Sequence, residues 1–259
     1  MCLILLSFDI HPVYRVVLAA NRDEYYDRPT KPLAFWDDRS ELLAGRDLKR
    51  SGAWLGVTPT GRIAAITNYR EPFLRLENAP SRGLLVSDFL SGMESPKHYL
   101  DNIKTTGHRY NGFNLLIGDQ SGLFYYSNKG HTIQKLKPGL YGLSNHLLDT
   151  PWPKIEKGKA ALGALLDGRD NIDLKDVFHI LANRSYPPDD QLPDTGVDRD
   201  WERVLSPLFI TSPSYGTRSS SVVVMERTGG VVFAERTFEP QPAESSENQT
   251  RIFNFTIST

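Results

Sequence analysis

The chain contains one cysteine, at position 2. Removal of Met1 would leave Cys2 with a thiol and a free α-amine, whose ordinary pKa values are about 8.5 and about 7.7–8.0. An α-amine can act as the base for the side chain of its own residue, so Cys2 has the parts of a self-activated nucleophile. The alternative is that Cys2 is a small buried apolar side chain without a chemical role.

Four consecutive polar residues, Asn21-Arg22-Asp23-Glu24, directly follow an apolar run over 13–20. A second apolar run spans 2–8, and the Pro-containing segment between the two runs predicts a β-hairpin. In a hairpin the end of the second strand lies beside the start of the first, so Arg22 and Asp23 are expected near Cys2. The alternative is a polar strand end held by a salt bridge.

Three further polar residues stand at the ends or starts of predicted strands: Asn68, Asn145 and Arg218. Two amide side chains and a guanidinium suit an oxyanion or a carboxylate, because they donate hydrogen bonds to developing or fixed negative charge. Each asparagine taken alone is more often a turn or cap residue, so this alternative stays open.

The elements that must position these residues follow from hydrophobic periodicity and turn signals. Helices are predicted at 81–92, from Pro96 to about Thr105 with Ser95 as N-cap, at 153–166, and in a segment capped by Asp173. Segments 25–40 and 184–200 are interpreted as loops. Strands are predicted at 2–8, 13–20, 54–57, 62–69, 112–118, 122–127, 131–136, 140–144, 220–225, 231–237 and 251–257.

The order of strands and helix pairs predicts an α+β fold with antiparallel sheets, and no Gly-x-Gly-x-x-Gly string supports a doubly wound sheet. Two sheets packed face to face, each covered by helices, would form a four-layer α-β-β-α sandwich. We expect residues 1–259 to form a single domain.

Charge and composition exclude several functions. Thirty Lys and Arg against 31 Asp and Glu give a net charge of −1, which argues against a nucleic-acid partner. A single cysteine excludes an internal disulfide and a cysteine-based zinc site. The sequence has neither a signal peptide nor the roughly 18 apolar residues of a membrane span, so a cytoplasmic location and small-molecule partners are expected.

Several strings make the chain resemble the NRDE family along its whole length. Besides Met1-Cys2 and the polar tetrad, they are Thr-Asn-Tyr at 67–69, Tyr-Asn-Gly-Phe-Asn-Leu at 110–115, Tyr-Gly-Leu-Ser-Asn at 141–145, Thr-Pro-Trp at 150–152, Tyr-Gly-Thr-Arg at 215–218 and Glu-Arg at 235–236. The resemblance implies an Ntn-hydrolase-like fold.

More distantly, the chain is similar to choloylglycine-hydrolase-type cysteine acylases. That similarity implies Cys2 as nucleophile, Arg22 and Asp23 beside it, Asn68 and Asn145 as oxyanion and substrate-orienting residues, and Arg218 as a late active-site arginine. The spacing at 21–24 departs from that pattern, which affects above all the role of Asp23.

Two functions therefore remain at this stage. The NRDE resemblance implies either a carrier whose cargo is haem or a protein of lipid or acyl-CoA metabolism. The histidines that could bind haem iron are scattered: His98, His108, His131, His146 and His179. The residue constellation instead favours a Cys2-dependent amidohydrolase or acyl transferase acting on an amide or thioester. Such an enzyme would need no cofactor and no metal.

Overall fold

The computed structural model describes residues 2–74, 76–239 and 249–258, and at Cys2 it describes the backbone only. The described residues contain two antiparallel sheets and five α-helices. Contacts divide the chain into two compact units. The first comprises described residues of 2–27, 137–144 and 149–255, and the second comprises those of 28–136, 145–148 and 256–258.

The first unit contains a six-stranded sheet with helices on one face. The helices are α3 (Pro153–Leu166), α4 (Leu174–Leu181) and the short α5 (Arg199–Leu205). In spatial order the strands are β10 (Gly139–Leu143), β1 (Cys2–Phe8), β2 (Tyr14–Tyr25), β11 (Tyr215–Glu226), β12 (Gly230–Thr237) and β13 (Thr250–Thr256).

The core of this unit lies between the sheet and α3 and α4. Leu3, Leu5, Val17 and Val222 of the sheet pack with apolar residues of the two helices. Gly158 allows helix α3 to approach β1 closely, since a Cβ at this position would lie only 2.6 Å from Leu5 Cδ2. The odd-numbered positions of β1, and those of β2 from Val17 onward, therefore face the helices, as the two-residue period of a strand requires.

The second unit contains a seven-stranded sheet, also with helices on one face. Its helices are α1 (Arg82–Ser91) and α2 (Pro96–Thr106). Phe89 and Leu100 of these helices pack on sheet residues such as Phe113 and Leu115. In spatial order the strands are β3 (Thr30–Trp36), β4 (Arg39–Asp47), β5 (Leu55–Val57), β6 (Ile63–Asn68), β7 (Phe113–Asp119), β8 (Gly122–Ser127) and β9 (Ile133–Lys135).

The α+β class, the antiparallel sheets and the four long helices predicted from the sequence are confirmed. Two loop predictions are wrong. Segment 25–40 contains β3, which tolerates Pro32 because β3 is an edge strand of its sheet. Segment 184–200 ends in the start of α5, where Asp198 accepts a hydrogen bond from the Trp201 amide as an N-cap.

Candidate functional site

The hairpin of β1 and β2 brings the polar tetrad to the start of β1, as predicted. In the ladder Cys2 lies opposite Arg22, and Leu3 lies opposite Asn21. Arg22 is buried, with 6% of its surface exposed. The guanidinium of arginine is effectively always charged in proteins, also when it is buried. The register therefore places a fixed positive charge in the strand next to the only cysteine.

Asp23 is buried at the end of the same strand and is held by β11. Thr217 Oγ1 donates to Asp23 Oδ1 at 2.7 Å, and the Tyr215 hydroxyl donates to the Asp23 carbonyl oxygen at 3.1 Å. Burial raises the pKa of the Asp23 carboxyl, while the charge of Lys154 and the hydrogen bond from Thr217 act in the opposite direction. A carboxyl group in such surroundings is a candidate for positioning or exchanging a proton.

Lys154 is a residue of this region to which the sequence analysis assigned no role. It is buried in the first turn of α3, and its Nζ donates to the Leu205 carbonyl oxygen at 3.0 Å. Its charge acts on Asp23 from the helix side of the sheet. A lysine at the start of a helix is ordinary in sequence, so only the packing of α3 on the sheet identifies it.

Arg218 lies at a β-bulge beside Arg22. The β11–β2 register passes from Thr217 opposite Asp23 to Ser219 opposite Arg22, so Arg218 is the extra residue of β11 at this bulge. Its Nη1 donates to the carbonyl oxygens of Tyr25 and Tyr26 at 2.9 and 3.0 Å. Bulges redirect side chains and occur often near active sites. Here the guanidinium holds the chain where it leaves β2.

Asn21, the first residue of the tetrad, is a structural clamp. Its side chain is fully buried, and Nδ2 donates to the carbonyl oxygens of Leu181 and Leu208 at 2.9 and 2.8 Å. Oδ1 accepts a hydrogen bond from Ser220 Oγ at 2.6 Å. Asn21 therefore joins the helix side of the sheet to the end of α4 and to the segment after α5.

Asn68 and Asn145 are neighbours in the second unit. Asn145 is fully buried, its Nδ2 donates to the Asn68 carbonyl oxygen at 2.9 Å, and its own carbonyl oxygen accepts from the Arg70 amide at 2.8 Å. The contact joins these two predicted residues, whereas Cys2, Arg22, Asp23 and Arg218 gather at one end of the six-stranded sheet. The catalytic roles of all six remain predictions.

A buried network around Asn114 holds the segment after Asn145, and the sequence analysis missed it. Asn114 Nδ2 donates to Thr67 Oγ1 at 3.1 Å and to the His146 carbonyl oxygen at 2.9 Å. The Tyr125 hydroxyl donates to Asn114 Oδ1 at 2.8 Å. Burial raises the pKa of Tyr125 to about 12, so its phenol keeps the donated proton at neutral pH. Asn114 lies in the quoted string at 110–115, but a string does not show what its residues contact.

The histidines considered for haem differ in burial. His98, His108, His131 and His179 are exposed, and His146 is half-buried. Burial lowers the pKa of His146, and its ring lies 4.9 Å from the Tyr69 ring between centroids. A neutral imidazole and a phenol are both groups that can bind haem iron.

Neither a metal-binding cluster nor a membrane-spanning helix occurs in the part of the chain that the structure describes. Among residues 2–74, 76–239 and 249–258, no group of three or more His, Cys, Asp or Glu side chains could hold a metal ion. In the same part of the chain, no helix combines the length and apolar composition needed to cross a membrane.

A family model described as Transport and Golgi organisation 2 matches residues 1–240. The Transport and Golgi organization protein 2 homolog of Bos taurus is 38% identical over 276 residues, which cover 97% of this chain and 99% of that protein. The Homo sapiens homolog is 36% identical and covers 99% of both chains. The Drosophila melanogaster protein is 27% identical over 279 residues, with 97% coverage of both. Transport and Golgi organization protein 2 is a member of the NRDE family, so these matches confirm the resemblance inferred from the sequence.

Two solved structures are similar in fold. The Caenorhabditis elegans ortholog of N-acylethanolamine-hydrolyzing acid amidase has a TM-score of 0.52 at 11% identity and covers 86% of this chain and 92% of its own. A variant of conjugated bile acid hydrolase from Clostridium perfringens has a TM-score of 0.51 at 12% identity and covers 100% and 98%. These matches confirm the Ntn-hydrolase-like fold, and at such identities they concern the fold alone.

Proposed function

The chain belongs to the Transport and Golgi organisation 2 family, and on that premise we propose that it is a cysteine amidohydrolase or acyl transferase with Cys2 as nucleophile. One observation supports the proposal above all. Cys2 lies opposite the buried Arg22 in the ladder, and the buried Asp23 is the next residue of that strand. Polar and charged groups are costly to bury, so their concentration in the strand paired with Cys2 favours a reaction there.

In the proposed reaction the Cys2 sulfur attacks the carbonyl carbon of an amide or thioester, and the Cys2 α-amine takes the thiol proton. The amine or thiol leaving group receives that proton, and a thioester with Cys2 remains. Water or an acceptor then attacks the carbonyl carbon of this thioester, its proton passes through the α-amine to the Cys2 sulfur, and the C–S bond breaks to release the acyl product and the free thiol. This sequence follows the general pattern of nucleophilic catalysis with an activated thiol.

The other candidate residues have separate roles in the proposal. Asp23 orients the amine, while Arg22 and Arg218 stabilise the thiolate or bind an anionic substrate. Asn68 and Asn145 supply hydrogen bonds to the oxyanion, a role taken from the resemblance and tested by their own substitutions. No cofactor is required. The cytoplasmic location stays a prediction.

A mass measurement and a substrate panel test this function. The purified protein should have lost Met1, and Cys2→Ala should abolish turnover of acyl amides and thioesters. Ser7→Ala, in the same strand, is the control and should retain turnover. Retention of Met1, or turnover that is unchanged in Cys2→Ala, refutes the proposal.

A second candidate is that the chain carries haem, or a lipid or acyl-CoA compound, as cargo. The observation that favours it is the pair of Tyr69 and the half-buried His146, together with the exposed apolar residues Phe73 and Leu74 in the loop after Tyr69. Haem titrated into micromolar protein should give a Soret shift that His146→Ala weakens and His179→Ala does not. An unchanged spectrum refutes haem binding.

A further inference from the structure

Ser219 carries a buried hydroxyl whose hydrogen bonding is incomplete. The residue is 4% exposed, and its Oγ has no hydrogen-bond partner among the residues that the structure describes. Buried polar atoms are almost always hydrogen-bonded, because leaving one without a partner costs free energy. Ser219 is therefore a position at which a bound molecule would complete the hydrogen bonding.

The bulge at Arg218 determines where this hydroxyl lies. Because the bulge adds one residue to β11, Ser219 comes to lie opposite Arg22, which in turn lies opposite Cys2. One row across three neighbouring strands thus holds the cysteine, a buried arginine and the buried serine. The row lies at the end of the sheet where Asp23 is also buried.

The alternation of side chains along β11 determines on which face of the sheet Ser219 lies. Val222 and Val224 pack in the core with α3 and α4, and Ser220 bonds Asn21 on that helix side. Ser219 and Ser221 therefore point to the opposite face. Glu235 is a buried acid on that face, and it accepts a hydrogen bond from Ser221 Oγ at 3.5 Å, two rows along the ladder from the row of Cys2.

We infer that Ser219 and Arg22 form a subsite for a carboxylate carried by the substrate that reacts at Cys2. The hydroxyl supplies a hydrogen-bond donor, and the guanidinium supplies the charge that a carboxylate requires. This inference rests on the proposed function of Cys2. It narrows the substrate to an acyl amide or thioester that bears a carboxylate near the reacting bond.

Two alkylating reagents test the subsite without knowledge of the substrate. Iodoacetate and iodoacetamide both react when the thiolate attacks the methylene carbon, forming an S–C bond and releasing iodide. They differ in that only iodoacetate carries a carboxylate. Because the chain has one cysteine, alkylation of a thiol, identified by peptide mass mapping, reports on Cys2 alone. The rate ratio of iodoacetate to iodoacetamide is compared with the same ratio for N-acetylcysteine.

We expect the ratio for the protein to exceed that of N-acetylcysteine by about tenfold or more, as a hydrogen bond to a charged group would give. Ser219→Ala should remove most of this preference by lowering the iodoacetate rate, and Ser219→Thr should restore part of it. The matched control is Ser220→Ala, the next residue on the helix side, which should keep the ratio.

The outcomes separate the two proposals. Slow reaction with both reagents, as for an inert thiol, contradicts the proposed nucleophile. A fast reaction without preference for iodoacetate, or a preference that Ser219→Ala leaves intact, overturns the subsite while Cys2 remains a nucleophile. A lower urea midpoint in Ser219→Ala with an unchanged ratio assigns the hydroxyl a purely structural role and also overturns it.

Discussion

Replacing Asn21 by alanine should destabilise the protein strongly without changing the reactivity of Cys2. The side chain is fully buried and makes three hydrogen bonds, to the carbonyl oxygens of Leu181 and Leu208 and to Ser220 Oγ. The substitution leaves three buried polar groups without this partner. Each such group costs about 1–3 kcal/mol, but a hydroxyl can turn to another acceptor. We therefore expect a loss of about 3–5 kcal/mol in the free energy of unfolding.

That loss is a large part of a typical total of about 5–15 kcal/mol. For a chain of this size it corresponds to a fall in Tm of roughly 6–20 °C. Urea unfolding followed by tryptophan fluorescence and far-ultraviolet circular dichroism measures it. The two probes also show whether unfolding is a single transition, which the free-energy calculation requires.

Two control substitutions isolate the clamp. Ser220→Ala removes one of the three bonds and should cost about 1 kcal/mol. Asn102→Ala removes an exposed amide that bonds Glu94, and should change stability by less than about 0.5 kcal/mol. The iodoacetamide rate of folded Asn21→Ala should equal that of the parent. A loss below about 1 kcal/mol, or a large fall in the rate at full stability, would refute the reasoning.

Three further substitutions test particular contacts. Burial raises the folded-state pKa of Asp23, so this carboxyl contributes a loss of stability as pH rises above its unfolded value of about 3.9, and Asp23→Asn removes that contribution. In urea titrations from pH 4 to 8, the free energy of unfolding of the variant minus that of the parent should therefore increase with pH. A difference that stays constant contradicts this. Gly158→Ala would place a Cβ 2.6 Å from Leu5 and should cost about 1–3 kcal/mol, and an unchanged Tm would show that α3 moves away easily. His11 is 4% exposed, and its ring bonds the Arg169 carbonyl oxygen at 2.7 Å. His11→Ala should therefore lower the free energy of unfolding by about 2–3 kcal/mol in the same assay. A loss below about 1 kcal/mol would mean that water replaces the ring.

The sequence predicts the helices well, because capping residues and hydrophobic periodicity lie within the helical segment itself. Pro153 opens α3 and Asp173 caps α4, and both helices begin where these residues indicate. The loop prediction at 25–40 failed for a tertiary reason. Pro32 argues against a central strand, but β3 is an edge strand, and the position of a strand in its sheet is absent from a local window.

The residues of the candidate site were likewise predictable where local sequence positions them and unpredictable where tertiary packing does. The hairpin predicts the pairing of Cys2 with the tetrad, because turn and strand lengths fix the register between neighbouring strands. Ser219 and Lys154 could not be predicted. Ser219 reaches Arg22 only through the bulge in β11, a strand almost 200 residues later, and Lys154 approaches Asp23 only through the packing of α3.

The tetrad at 21–24 shows why adjacent polar residues need not share one role. A strand directs successive side chains to opposite faces, so Asn21 and Asp23 face the helices while Arg22 faces the other side. Asn21 joins the sheet to α4, Asp23 is bonded to Thr217, and Arg22 is left as the residue paired with Cys2. The sequence string therefore combines a structural clamp on one face with a charged residue on the other face, opposite Cys2 in the ladder. Substitutions at positions 21 and 22 should consequently separate, the first acting on stability and the second on the reactivity of Cys2.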